Sequence, residues 1–195
     1  MIFSGQDTMK KKTLDLGCGN KKMQDAIGID INPKTDADII HNLNITPYPL
    51  AESTFDEIFA DNVIEHLDNV VNVMEEIHRI SKPDGFIVIK VPYFRSRYAY
   101  IDPTHKHYFT VDSFSYFDPN HIHHTLYNYS ESLFETIKIV FNEDFPKKGI
   151  NRVIQGLILP FCNKYPRFYE QYASHFFPLD HLTFYLRTIK SEDNQ

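Results

Sequence analysis

Thr13-Leu14-Asp15-Leu16-Gly17-Cys18-Gly19-Asn20-Lys21-Lys22 is the stretch that decides how the chain reads. Thr13, Leu14 and Leu16 are strand-type residues bounded by glycine. Gly17 and Gly19 lack a Cβ, so the backbone there can take positive φ and a ligand can come close. A short helix is expected over Lys21–Asp25, its first N–H groups facing whatever sits on the turn. A second strand follows over Ala26–Ile31, with Asp30 near its end. A glycine turn after one strand and a carboxylate after the next is how a doubly wound α/β sheet holds a ribose-bearing ligand.

The glycine spacing narrows the ligand. A dinucleotide fingerprint needs G-x-G-x-x-G, and here Lys22 stands in the third position. The P-loop pattern G-x-x-x-x-G-K-S/T is absent too.

Working outward, Ala37–Ile40 reads as a third strand and Phe55–Ala60 as a fourth. Val70, Val73, Met74, Ile77 and Ile80 recur at helical spacing, with Asp68 or Asn69 as the cap and Glu75, Glu76, His78 and Arg79 on the other face. Pro83-Asp84-Gly85 turns the chain into Phe86–Val91, a continuous β-branched run typical of a buried strand. Phe134–Phe141 is a sixth strand. Leu182–Ile189 is a seventh, alternating enough to lie at an edge and to pair with the sixth as an antiparallel hairpin. Between them, residues 149–177 have helical apolar spacing, broken at Pro160 and Pro166.

Leu-Asp-Leu-Gly-Cys-Gly, with Asp15, Gly17 and Gly19, resembles the first motif of class I S-adenosylmethionine-dependent methyltransferases, of the methyltransferase type 11-like group. Lys21 departs from the third glycine that many members carry. Asp61-Asn62-Val63-Ile64-Glu65-His66-Leu67 resembles a second motif, and the helix, Lys82-Pro83-Asp84-Gly85, strand sequence a third. Together they span residues 12–92 in the expected order. The resemblance implies a single Rossmann-like α/β domain over 1–195. Its sheet would have about seven strands, strand seven antiparallel, with helices on both faces. It implies a cofactor-binding core over 12–92, a lid or substrate loop over 93–124 and a helical insertion over 145–180. S-adenosylmethionine is the implied cofactor. The glycine loop packs against its methionine part, Asp30 takes the ribose hydroxyls, and Asn42 meets the adenine edge with Leu43 beside the ring. Asp15, Cys18, Ile31, Asn62 and Val63 complete the implied cofactor set with Gly17 and Gly19.

Composition bounds the rest. With 195 residues, 42% of them hydrophobic, one domain with a full core is expected. A net charge of −6 gives no basic face, so no nucleic acid is expected as partner. No apolar run approaches a membrane span and no signal-peptide pattern opens the chain. Two cysteines, Cys18 and Cys162, make no disulfide framework, and a cytoplasmic setting is expected. Residues 1–11 read as a frayed, polar and basic start and 190–195 as a polar tail.

The chain has no Trp, but 16 Phe, 12 Tyr and 10 His, concentrated after residue 90. A long aromatic, imidazole-rich connection over 92–124 reads as a lid or binding loop, with a short helix opening at Thr110-Val111-Asp112 and Phe114 and Phe117 turned to the core. Methyl transfer needs a held geometry and a deprotonated nucleophile. His66, which follows the fourth strand, and Asp102, His105 and His107 in Asp-Pro-Thr-His-Lys-His are the catalytic candidates. Asp102-Pro103-Thr104-His105 followed by aromatics resembles a subgroup of these methyltransferases associated with glycan or cell-surface polysaccharide synthesis. A small polar acceptor, a sugar or polysaccharide-precursor hydroxyl, is therefore expected, with the oligomeric state open. Two other readings stand beside it. One is a non-catalytic binding module on the same fold. The other is a metal-dependent hydrolase built on the His-rich lid, with ligands from Asp102, His105 and His107 and from His121, His123 or His124. The expected site itself contains no metal.

Overall fold

The computed structural model describes residues 11–143 and 149–190. The expected frayed start (but for residue 11), the head of the 145–180 insertion and the polar tail (but for residue 190) lie outside the described residues. Seven strands form one sheet: β1 (Thr13–Leu16), β2 (Ile27–Asp30), β3 (Ile39–Ile40), β4 (Phe55–Asp61), β5 (Ser81–Pro92), β6 (Leu133–Phe141) and β7 (His181–Ile189). Their order is β3-β2-β1-β4-β5-β7-β6. β1 is parallel to β2 and β4, β2 to β3, and β4 to β5, whereas β7 runs antiparallel to both β5 and β6. The α/β sheet with a reversed seventh strand is thus the observed architecture.

Strands six and seven do form the expected hairpin, but β6 takes the edge. β7 is inserted between β5 and β6. Its alternation marks one face packed on the core: Leu182, Phe184 and Leu186 are all buried. Register carries that face across the sheet, since Phe184 lies opposite Ile89 on one side and Ile139 on the other. Leu14, Leu16, Ile58, Ala60, Ile87, Ile89 and Val91 continue it in one cluster. The alternate residues Phe59, Phe86, Val88 and Tyr185 are half-buried and line a groove of about 720 Å³ on the opposite face.

Helix α1 (Val70–Ile80) follows from its sequence. The Asn69 side chain accepts hydrogen bonds from the Val71 and Asn72 amides, and Val73, Met74, Ile77 and Ile80 are buried as their spacing requires. Glu76 departs from expectation: it is buried rather than on the solvent face. Its carboxylate accepts from Arg79 Nε and Nη2 at 2.8 Å each and from the Tyr48 amide at 2.6 Å. Arg79 also donates to the Leu50 and Tyr48 carbonyls. One partly buried ion pair therefore fastens the loop before β4 to α1.

The helix expected at Lys21–Asp25 is absent; turns replace it. Five residues are too few to repay helix nucleation, and their polar groups go elsewhere. The Met23 amide donates to Asp15 Oδ2 at 2.9 Å, the Lys22 ammonium pairs with Asp38, and Asp25 takes φ +65°. Pro160 does not break its helix. Helix α4 (Gly149–Lys164) runs through it. Gly156, four residues earlier, is exposed, so the carbonyl deprived of its donor faces water. Pro166 acts as expected, opening the single-turn helix α5 (Pro166–Phe168).

Burial pushes the Glu76 carboxyl up, but the Arg79 guanidinium and the Tyr48 amide outweigh it and hold the group below its usual range. A carboxyl depressed in the folded state stabilises fully above its unfolded pKa and loses that contribution as pH falls through the folded value. Glu76→Gln is expected to cost about 1–3 kcal/mol at neutral pH. The deficit against the parent should shrink in acid, as read by urea unfolding at several pH values.

Candidate active site

The glycine turn joins two strand ends. Gly17 takes φ +63° and Gly19 φ +52°. A Cβ on Gly17 would lie 2.4 Å from Val63 Cγ2, so this glycine is required where the turns after β1 and β4 touch. Gly19 has nothing within 4 Å of such a Cβ and leaves its backbone open. With no helix behind the turn, its amides are used internally. Gly17 and Cys18 both donate to the Ile29 carbonyl, at 2.7 and 3.3 Å, and Gly19 donates to Asp30 Oδ2 at 3.0 Å. Asp30 Oδ1 accepts from the Asn32 amide at 2.8 Å. A carboxylate so held keeps a lone pair on each oxygen for a diol.

A cavity of about 360 Å³ opens over the ends of β1, β2 and β4, lined by Gly17, Asp30, Ile31, Asn42, Leu43, Asn44, Asn62, Val63, His66 and Leu67. Seven of the residues expected to hold the cofactor thus converge on one cavity of ligand size. The other three, Asp15, Cys18 and Gly19, lie in the neighbouring groove, which shares Gly17 and Asn62 with the cavity. Asn62 takes φ +54° and its amide donates to the Lys90 carbonyl, which swings the chain out of β4 between the two spaces. Burial raises the Asp15 carboxyl, and the Met23 amide only partly offsets this. Cys18 is buried with its thiol pushed up by that burial, which suits packing and not nucleophilic attack. The residues present fit an adenosine: a carboxylate for the ribose, an amide and a leucine beside the base, and an uncluttered glycine backbone.

The chemistry-bearing residues meet at one side of this cavity. Ile64–His66 form a short 3-10 turn after β4. The loop 102–107, which follows the four-residue helix α2 (Tyr98–Ile101), is bonded to it by backbone. Lys106 and His107 amides donate to the Glu65 carbonyl at 2.8 and 3.3 Å, and His107 Nε2 donates to the Leu67 carbonyl at 2.8 Å. His107 is thereby a fastening of the loop. His66 and His105 stand edge to face with ring centroids 4.7 Å apart. Asp102 reaches His66 through Thr104: Thr104 Oγ1 lies 2.6 Å from Asp102 Oδ1 and 2.9 Å from His66 Nδ1. His105 Nδ1 donates to the Ala99 carbonyl at 3.0 Å. Burial, then the neighbouring His105, lowers the His66 imidazole, so it is neutral at pH 7 and able to take a proton.

Glu65 escaped the sequence reading as a site residue. It is fully buried, and neither carboxylate oxygen has a hydrogen-bond partner outside its own residue among the described residues. Burial pushes its carboxyl up to about 8, with Asp61 and Asp102 adding to the rise. A lone acid inside Val-Ile-Glu-His-Leu was the available signal, but its burial depends on the distant loop 102–107.

The other histidines do not join this group. His123 Nδ1 bonds Ser115 Oγ, His124 Nδ1 donates to the Tyr116 carbonyl, and His121 caps α3 (Ile122–Tyr127) by accepting from the His123 amide. Among the described residues, a metal-ligating arrangement of three or more side chains is formed only by Glu65, His66 and His105. Of the expected ligand set, Asp102, His105 and His107 with His121, His123 or His124, only His105 is in this arrangement. The stretch 109–117 of the expected lid contributes to the core: Phe109, Val111, Phe114 and Phe117 are buried, with Phe109 stacked on Phe114 at 5.6 Å.

Residues 14–89 match the methyltransferase domain family model. A SAM-dependent methyltransferase from Archaeoglobus fulgidus is similar in structure, with 19% identity, 91% of this chain and 86% of that chain covered, and a TM-score of 0.54. One from Mesorhizobium loti has 15% identity, 91% and 90% coverage and a TM-score of 0.54. The [4+2]-cyclase SpnF has 14% identity, 93% and 76% coverage and a TM-score of 0.53. These likenesses are of fold. No curated protein matches the chain in sequence. The matched core, 76 of the 195 residues, is similar to a methyltransferase domain, and the fold around it is that of S-adenosylmethionine-dependent methyltransferases. No helix of the described residues is long and apolar enough to cross a membrane.

Asp30→Ala is expected to weaken S-adenosylmethionine binding by about 1.5–3 kcal/mol, the usual worth of hydrogen bonds to a charged group. Isothermal titration checks this, and affinity equal to the parent's would remove Asp30 from the ribose site.

Proposed function

We propose that the chain methylates a hydroxyl of a small polar acceptor, of the sugar or polysaccharide-precursor kind. Asp15, Gly17, Cys18, Gly19, Asp30, Ile31, Asn42, Leu43, Asn62 and Val63 hold the cofactor, and His66, Asp102, His105 and His107 serve the acceptor. One observation carries this reading: His66 lines the cavity over the strand ends and is oriented by Thr104 and Asp102 from the loop 102–107.

Bound S-adenosylmethionine supplies a methyl group already activated on a sulfonium. The protein has then to align an acceptor oxygen with that methyl and remove its proton. Alignment alone can supply ~7–11 kcal/mol of the barrier. Thr104 Oγ1 donates its only proton to Asp102, so it accepts from His66 Nδ1–H. His66 Nε2 is then left as the base for the acceptor hydroxyl. Asp102 lies below the usual carboxylate range, through its bonds from the Thr104 hydroxyl and amide, so it stays ionised and favours the imidazolium that forms. His107 contributes by fixing the loop to Leu67. Exposed Tyr100 and Tyr108, stacked at 4.9 Å at the loop's two ends, offer a flat surface of the kind that sugars pack on.

A second reading, the same fold used without methyl transfer, draws on the [4+2]-cyclase that shares it. Transfer of labelled methyl from S-adenosylmethionine to a panel of sugars, sugar nucleotides, phenols and amines separates the two. His66→Ala is expected to lose about 10²–10⁴-fold in kcat, the usual contribution of a positioned base, while keeping cofactor affinity. Cofactor binding without transfer to any hydroxyl compound would favour the second reading. An unchanged kcat in His66→Ala would remove the base.

A further inference from the structure

Glu65, His66 and His105 carry an arrangement that a proton-transfer role does not explain. The three side chains come from two segments, the turn after β4 and the loop after α2, which backbone hydrogen bonds hold together. One ligand atom from each lies within 4.8 Å of the other two. Each imidazole uses its Nδ1 outward. His105 Nδ1 faces the Ala99 carbonyl, which can only accept, so this nitrogen bears the proton. His66 Nδ1 faces a hydroxyl whose proton is committed to Asp102, so it also bears the proton. Both Nε2 lone pairs are then bare. This is the orientation that carbonyl and carboxylate-linked partners give to metal-binding histidines.

The third donor makes the case. Glu65 is fully buried, with both oxygens unpartnered outside its own residue. His105 Nε2 stands 3.9 Å from Glu65 Oε1, beyond hydrogen-bond length. A buried carboxyl with no partner beyond its own backbone amide is under-satisfied in either protonation state and costs free energy. A divalent ion satisfies the carboxylate and both imidazoles at once.

We propose that Glu65, His66 and His105 form a site for a divalent first-row transition ion, bound by one carboxylate oxygen and the two Nε2 atoms. Two imidazoles and one carboxylate are the donor set of catalytic zinc sites, which leave a coordination position open. Bonds of about 2.0–2.2 Å place donors roughly 3–3.5 Å apart, so the set closes on an ion with side-chain shifts of about an ångström. One of the three donors, His66, also lines the cavity over the strand ends, so an open position on the ion can face that cavity. On the reading of the chain as a hydroxyl methyltransferase, that position takes the acceptor oxygen. With the ion bound, His66 Nε2 is a ligand and the ion lowers the acceptor's pKa so that its proton passes to solvent; in the metal-free protein His66 Nε2 remains the base.

Cobalt(II) is the probe, added to untagged protein stripped with EDTA. One equivalent is expected to produce a visible d–d absorption band, and one equivalent of zinc should abolish it. Glu65→Gln and His105→Ala are each expected to lose the band. Thr104→Val, which removes the partner of His66 Nδ1, should weaken zinc binding by about 10–100-fold. Thermal unfolding without metal verifies that each variant is folded. A folded parent protein that gives no band, or variants that bind cobalt as the parent does, would overturn the site. Binding of S-adenosylmethionine is measured on the same metal-free protein, so loss of the metal site and loss of the methyltransferase reading are seen separately.

Discussion

The contact of Gly17 with Val63 is the constraint on which the site depends. A side chain at Gly17 would occupy the space of both Val63 methyl groups, and φ at this position is positive. Only glycine lets the turn after β1 press against the turn after β4. That closeness places Asp30 and Asn42 on one side of a cavity and Asn62 and His66 on the other. Parallel pairing of β1 with both β2 and β4 brings these turns to the same end of the sheet. The ligand space is therefore a product of strand order, and the glycine keeps it open.

From this joint the order of construction runs outward. The chain leaving Val63 makes the 3-10 turn that buries Glu65 and exposes one edge of His66. The loop 102–107 then lies on that turn, held by the Glu65 and Leu67 carbonyls. Backbone bonds of this kind do not depend on side-chain identity, whereas the groups they deliver do. Two imidazoles, a buried acid and an ionised Asp102 meet where the fold leaves an opening. The cluster of Glu65, His66 and His105 and the cavity over the strand ends share a wall, His66.

Much of this was legible in the sequence. Leu14, Leu16, Gly17, Gly19 and Asp30 state a strand, a turn and a carboxylate whose spacing allows few folds. Val73, Met74, Ile77 and Ile80 state a helix face. His66, Asp102 and His105 were recognisable as reactive groups at the ends of neighbouring strands, and the structure brings them together. The misses were set by tertiary context. Lys21–Asp25 had helical composition but too few residues to nucleate. β7 alternates as an edge strand does, yet β6 covers its flank, and no local pattern records that. Glu65 and Glu76 looked like ordinary polar residues, because a loop distant in sequence buries the first and Arg79 and the Tyr48 amide satisfy the second. His107 and His121–His124 were grouped with the reactive residues by type, but each is used by a nearby carbonyl, hydroxyl or amide.

The most direct measurement is thermal unfolding of the protein with S-adenosylmethionine, S-adenosylhomocysteine, NAD or no ligand. A ligand at ~100 times its dissociation constant stabilises the folded state by about 2.7 kcal/mol. The account predicts an upward shift with both adenosyl-sulfur compounds and none with NAD, because Lys22 stands where a dinucleotide loop needs its third glycine. A shift with NAD alone, or with none of the three, would contradict it.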